Sequence, residues 1–228
     1  KEIQVSVQKV LKIVYATVSL IVLIISLWII FDCFKKTPDQ EKMVVNYTTS
    51  SNVDYKVYLK PNKFYDAKYL EKGKKYISNI IDYVDLNLMY NFNITKKANA
   101  TYSYNILAQI SSEYELNGAT AELWSKKYEL VPSKPLLKGS TTSFSINEKM
   151  QIDYEKYNQL ANNFKEEYGI ASDTKLSIIV NINSNAKLDD YSETIKETKT
   201  IKLVMPLDKP VTDINVTGAE PVNKTITE

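Results

Sequence analysis

The run YISNIIDYVDLNLMYNFNIT, Tyr76–Thr95, carries the strongest alternation in the chain. Leu86, Leu88, Tyr90, Phe92 and Ile94 point one way, and Asn87, Met89, Asn91, Asn93 and Thr95 the other. A period of two marks a half-buried strand, because successive side chains of an extended backbone face opposite sides of a sheet. A strand of that length is expected to twist or bulge. Lys96–Ala100 reads as a polar turn, and Thr101–Ser111 alternates again through Tyr102, Tyr104, Ile106, Ala108 and Ile110, so the two segments are read as a hairpin.

Working outward, the same pattern recurs. Toward the N-terminus, Met43–Thr48 reads as a short strand and Thr49–Asn52 as a turn. Val53–Lys60 is a second strand, with Val53, Tyr55, Val57 and Leu59 inward, closed by Pro61-Asn62. Phe64–Lys75 is a long connection bending at Gly73. Toward the C-terminus, Asn117-Gly118 is a tight-turn signal, since both central residues tolerate positive φ. It joins Glu113–Leu116 to Thr120–Leu130; Pro132 and Pro135 are expected to break the ladder, with Thr141–Ile152 a further strand.

At Asp153 the period changes to that of a helix. Tyr154, Tyr157, Leu160, Ala161, Phe164 and Tyr168 recur at helical spacing, Asp153 is placed as an N-cap and Gly169 as a C′ glycine. One amphipathic helix over 154–168 follows. Strands resume at Lys175–Asn183, pass a charged turn at Asn185–Asp190, and continue through Tyr191–Met205. Pro206 and Pro210 close the core, and Val211–Glu228 reads as a strand fragment or a stalk. Many short antiparallel strands with one helix indicate a mainly-β fold, an Ig-like antiparallel β-sandwich with one amphipathic α-helix over residues 52–206.

Ahead of this domain stands IVYATVSLIVLIISLWIIFDCF, Ile13–Phe34, with Asp32 its only formal charge. Such a helix reaches roughly 33 Å, enough for a hydrocarbon core of roughly 30 Å. Tyr15 and Trp28 suit the interfaces, and Lys12, Lys35 and Lys36 bound the segment. Thr17, Ser19 and Ser26 are candidates for packing against a neighbouring membrane helix. Residues 1–12 read as a cytoplasmic tail, 13–34 as a single transmembrane helix, 35–51 as tether and first strand, and 207–228 as a C-terminal extension. Lysines flank the span on both sides, so orientation is argued from the short basic N-terminus and the polar Tyr/Asn/Thr-rich domain: N-terminus inside, domain outside.

The chain has 29 Lys and Arg against 27 Asp and Glu, a balance with no basic stripe for nucleic acid. There is no histidine, and the one cysteine, Cys33, lies in the span. The domain therefore lacks the commonest general base, the usual zinc ligand and any disulfide. Glu166/Glu167 and Asp189/Asp190 show no ordered ligand spacing and read as solvated charge. A Ser–Lys dyad is conceivable without histidine, but no motif singles out a pair. The expectation is no enzyme, no cofactor and no metal.

Tyrosine is unusual at 17 residues. Most of these suit sheet faces and core edges. Trp124, Tyr128 and Tyr58 are the candidate interaction surface, for a protein partner or a glycan. Asn-x-Thr sequons occur at Asn46, Asn93, Asn99, Asn215 and Asn223.

Three segments carry a resemblance over about 52–205: Tyr55–Phe92, the W-S-K-x-Y-x-L element at Trp124–Leu130, and FSINEKMQIDYEKYNQLANNFKEEYGI, Phe144–Ile170. They resemble an uncharacterised family of prokaryotic membrane-anchored proteins with an external β-rich domain of unknown function. Its members often occur beside signal-peptidase-like proteins of surface-fibre export systems. The resemblance implies no activity or catalytic residue. It implies a second span past the domain, which either lies beyond Glu228 or is missing here. The functional expectation is a membrane-anchored structural or accessory interaction protein at the cell surface, serving a secretion, signal-peptidase or surface-assembly system. The alternative is a ligand-binding module using Tyr and Trp, with a cryptic hydrolase behind both.

Overall fold

The computed structural model describes residues 7–35, 44–189 and 194–227, which fall into two compact units, Lys1–Met43 and Val44–Glu228. In the first, α1 (Val7–Lys35) is a continuous helix. Its stretch Lys9–Asp32 has a mean hydropathy of 2.7 and is long and apolar enough to cross a membrane. The tether at 36–43 lies outside the described residues.

The second unit is mainly β. Its strands are β1 (Val44–Leu59), β2 (Tyr69–Glu71), β3 (Tyr76–Ile77), β4 (Ile81–Leu116) and β5 (Ala119–Ile152). After helix α2 (Tyr154–Tyr168) come β6 (Asp173–Lys187), β7 (Thr194–Pro206), β8 (Val211–Thr212), β9 (Asn215–Thr217) and β10 (Val222–Thr227). Among the described residues, eight strands form one antiparallel sheet in the order β10-β1-β4-β6-β7-β9, with β2 added to β1 and β5 to β4; β3 and β8 pair separately.

β4 spans 36 residues, far beyond an ordinary strand, because it serves as two strands end to end. Its first part, to Ile94, lies between β1 and the second part of β5. From Asn99 onward it lies between the first part of β5 and β6. The register slips between Asn93 and Ala98, where β4 changes neighbours. This bend lays one part of the sheet over the other. Tyr47 of β1 donates from its hydroxyl to Glu197 of β7 at 3.0 Å, and Tyr55 of β1 donates to the Ile214 carbonyl at 3.3 Å. The core fills between the layers with Leu86, Leu88, Tyr90 and Phe92 on one side and Leu176, Ile178, Ile201 and Leu203 on the other, all buried.

Four local expectations are corrected. Thr49–Asn52 is no turn, since β1 runs straight through it, paired to β4 at every position. Thr49 is buried there, so a hydroxyl occupies an inward position that the apolar alternation left blank. Lys96–Ala100 is no reversal either: Ala98 and Ala100 stay buried and the chain bends onward. The reversal comes at Asn117-Gly118, with φ of 55° and 78°, so β4 and β5 form one long bent hairpin. Pro132 and Pro135 do not end β5. In that region β5 pairs only with β4, and the register slips between Val131 and Lys134, around Pro132, while Pro135 stays opposite Ser103. The opening residues of Tyr76–Thr95 also separate from the long strand, as β3 and a 3-10 turn at Ser78–Ile80.

The helix forms as its sequence requires. Asp153 Oδ1 accepts from the Lys156 N–H at 3.0 Å, and Gly169 closes it at φ 66°. Tyr154, Tyr157 and Ala161 are its buried face. Tyr154 donates to the Pro206 carbonyl at 3.0 Å, tying the helix to the end of β7. The segment 211–227 is strand rather than stalk. It pairs first with β3, then with β7 and finally with β1, so it crosses from one edge of the main sheet to the other. Gly218 makes the crossing: at φ 77° it passes so close to β7 that an added Cβ would lie 2.1 Å from the Thr200 carbonyl oxygen.

Candidate functional site

Tyr58 lies on the outer face of β1, opposite the inward Tyr55 and Val57. Its register partner on β2 is Tyr69, at a ring-centroid distance of 5.4 Å. On the β4 side Tyr83 stacks against it at 4.5 Å with rings 12° apart. Three half-buried tyrosines therefore form a continuous row across β2, β1 and β4. Tyrosine suits such a position, with a ring large enough to cover the pleat and a hydroxyl that keeps contact with water.

Beside the row a cleft of about 220 Å³ is lined by Asp54, Lys56, Tyr58, Asp85, Asn87 and Lys149. Lys56 Nζ lies 4.3 Å from the Tyr69 ring centroid and 4.0 Å from Glu71, while Lys72 reaches Asp54 at 3.5 Å. The Tyr69 hydroxyl, foremost, holds the Lys56 ammonium above its ordinary pKa. Asn87 Oδ1 is buried in the cleft wall with no hydrogen-bond partner among the described residues. A stacked ring flanked by carboxylate and amide oxygens can receive a ligand that offers both an apolar face and hydroxyl donors.

The loop from β1 to β2 begins just past Tyr58. Asn62 Oδ1 accepts from the backbone N–H of Phe64 at 2.9 Å and of Tyr65 at 2.8 Å. That Asx turn fixes the loop and leaves Phe64 88% exposed. Phe64, Tyr69 and Tyr83 were not among the residues singled out from the sequence. The available signal was Asn62, two residues before an aromatic in a polar connection.

Trp124 and Tyr128 lie elsewhere, on β5 beneath α2. Trp124 packs on Phe164 at 5.4 Å, and Tyr128 meets Tyr157 edge-on at 5.6 Å. Both rings are half-buried, and the Trp124 indole N–H is enclosed without an acceptor among the described residues. The helix covers the ring faces, so these two residues and Tyr58 do not meet on one surface.

Past the helix, a cleft of about 250 Å³ is ringed by ion pairs: Lys175 with Glu113 at 2.5 Å, Lys209 with Asp173 at 2.7 Å and Lys165 with Asp208 at 3.0 Å. The neighbouring hydroxyls bond one another, Ser112 to Ser172 at 2.6 Å and Thr174 to Ser112 at 3.1 Å. Each lysine at this cleft is held by a carboxylate. Glu166 and Glu167 are exposed on α2, Asp189 accepts from Asn99 at 3.3 Å, and Asp190 lies outside the described residues. Among the described residues no cluster of three metal-ligating side chains occurs.

On α1 the Thr17 hydroxyl donates to the Ile13 carbonyl at 2.8 Å and that of Ser26 to Val22 at 2.8 Å. Ser19 and Ser26 are one heptad apart and share a face, whereas Thr17 lies about 160° around the helix from Ser19.

No family profile matches this chain, and no curated protein does. Among solved structures, a crystal structure of a protein from Archaeoglobus fulgidus aligns with 67% of this chain and 93% of its own, at 8% identity and a TM-score of 0.26. At that likeness the neighbour carries nothing about fold or function, which rest on the residues above.

Proposed function

We propose that this protein is a non-catalytic, membrane-anchored interaction protein. α1 crosses the bilayer with its N-terminus inside and holds the β unit at the outer surface. There it serves a partner of a secretion, signal-peptidase or surface-assembly system. The observation that carries the reading is Phe64, 88% exposed on a loop fixed by an Asx turn that follows the Tyr58 strand, where Tyr58 packs on Tyr69 and Tyr83. An exposed aromatic on a loop whose backbone is already fixed loses less entropy on burial and is the usual anchor of a protein interface.

Photo-crosslinking from a photoreactive residue at position 63, in native membranes and in chains that keep Phe64 or carry Phe64→Ser, with capture of the full chain, tests it. Wild type is expected to yield one reproducible membrane or surface protein. Phe64→Ser should weaken capture about 30-fold, the equivalent of an anchor worth about 2 kcal/mol. Equal capture by wild type and variant, or recovery of the chain alone, would sink the proposal.

The neighbouring cleft favours a second reading, glycan binding, through Asp54, Asp85 and the unpartnered Asn87 oxygen beside Tyr58. Oligosaccharide titration separates the two: Asp85→Asn should abolish sugar binding while Phe64→Ser leaves it intact.

A further inference from the structure

The five sequon asparagines are all exposed, and all lie on strands. Three of them come together. Cross-strand register aligns Asn93 of β4 with Thr48 of β1, and Thr48 with Asn223 of β10. In the next outward row Asn46 pairs with Thr225, and the Asn46 N–H donates to the Thr95 hydroxyl at 3.1 Å. Each Asn-x-Thr places its Asn and Thr on the same face, because residues two apart on a strand share a face. The sequons of three neighbouring strands therefore interlock, Asn-Thr-Asn above Thr-Asn-Thr, with all six side chains exposed.

The amides of this patch differ from other asparagines of the sheet. Asn183 accepts from Thr198 and Asn181 from Thr200, both at 3.1 Å, and Asn185 reaches Thr101 at 3.5 Å. Those residues are not sequons, and they knit adjacent strands. The side-chain amides of Asn46, Asn93 and Asn223 make no hydrogen bond to any described residue. Nothing in the fold uses them, and each carries the hydroxyl at +2 that an asparagine-linked glycan requires.

We propose that Asn46, Asn93 and Asn223 form a glycosylated patch on the outer face of the sheet. The donor is a polyprenyl-phosphate- or pyrophosphate-linked oligosaccharide, transferred by a membrane oligosaccharyltransferase outside the cytoplasm. The Asn amide nitrogen bonds to C1 of the donor sugar, and the C1–O bond to phosphate breaks. The polyprenyl phosphate or pyrophosphate leaves with those electrons, and the amide gives up one proton to a base of the transferase. Adjacent strands lie roughly 4.8 Å apart, so the three roots fall within about 10 Å. Asn223 stands on an edge strand and stays reachable in the folded sheet; Asn46 and Asn93 lie on strands flanked on both sides and receive theirs before pairing. Thr48 and Tyr58 are separated by roughly 34 Å of β1, so the sugars leave the tyrosine row uncovered.

The proposal rests on the outward placement of the β unit, so the test reads both. Full-length protein purified from native membranes is mapped by glycopeptide mass spectrometry, after labelling intact cells with a membrane-impermeant lysine reagent. Expected are labelled Lys72 and Lys149 and a glycan mass on each of the three asparagines. Asn→Gln should remove one glycan at a time, and Thr48→Val should strip Asn46 while Thr48→Ser preserves it. Labelled lysines with all three asparagines bare overturn the glycosylated patch and leave the topology standing. Unlabelled lysines with bare asparagines overturn both, and glycan confined to Asn99 or Asn215 overturns the assignment to this patch.

Discussion

Single hydroxyls and carboxylates set how this sheet tolerates pH. Tyr104 donates to Glu148, and burial, then that carboxylate, push the Tyr104 phenol up to about 12. Burial likewise raises Tyr76, Tyr90 and Tyr154. A folded pKa above the unfolded value of 10.0 favours the protonated form, so the contribution is complete below pH 10. It disappears as pH rises from 10 toward and past 12. The expected outcome is cooperative alkaline unfolding in that window, with phenolate absorbance and near-ultraviolet circular dichroism changing together. Tyr104→Phe should shift the transition to higher pH; an unchanged transition would show that the Tyr104 phenol does not set it. Residues also mark what the sequence discloses. Asp153, Gly169 and the Asn117-Gly118 pair announce their conformations because each satisfies a backbone demand within a few positions. Thr49, Ala98 and Ala100 gave no such signal: they are core residues without the apolar bulk by which inward positions are recognised.

Among the elements, the helix and the turn at the hairpin tip were legible, whereas the continuity of β1, β4 and β5 was not. Continuity depends on neighbours distant in sequence. β4 carries on through Lys96 and Lys97 because β5 bends beside it and β6 takes over the edge that β1 gives up. The tyrosine row was hidden for the same reason, since β2 supplies Tyr69 and β4 supplies Tyr83 to a residue of β1. The crossing from β9 to β10 is the element most sensitive to a single methyl group. Gly118→Ala and Gly218→Ala both force alanine into left-handed backbone, costing about 1 kcal/mol. Only Gly218 also meets a carbonyl oxygen, whereas nothing lies within 4 Å of the position a Cβ would take at Gly118. Urea unfolding of the full chain in detergent should therefore show a clearly larger loss for Gly218→Ala. Equal losses would mean that the crossing yields without cost.

At the scale of the molecule, β10 covers what would otherwise be a free edge of β1, Val44–Thr49. An uncovered edge with such a β-prone sequence is a template for another chain. Ending the protein after Pro221 should give larger species in size-exclusion chromatography with light scattering, and an unchanged mass would show the edge to be harmless. The same pairing has a mechanical side. Val44 and Thr227 are opposite each other at one end of a six-pair antiparallel ladder. Tension between those two points runs along the hydrogen bonds and opens them one at a time, as a zipper does. Tension entering at Val44 and leaving through the Phe64 loop instead runs along the extended backbone of β1, and its twelve pairs with β4 do not lie in the path of the force. A partner gripping that loop would thus pull along the stiff axis of β1, and the strand would pass force to Val44 without unravelling.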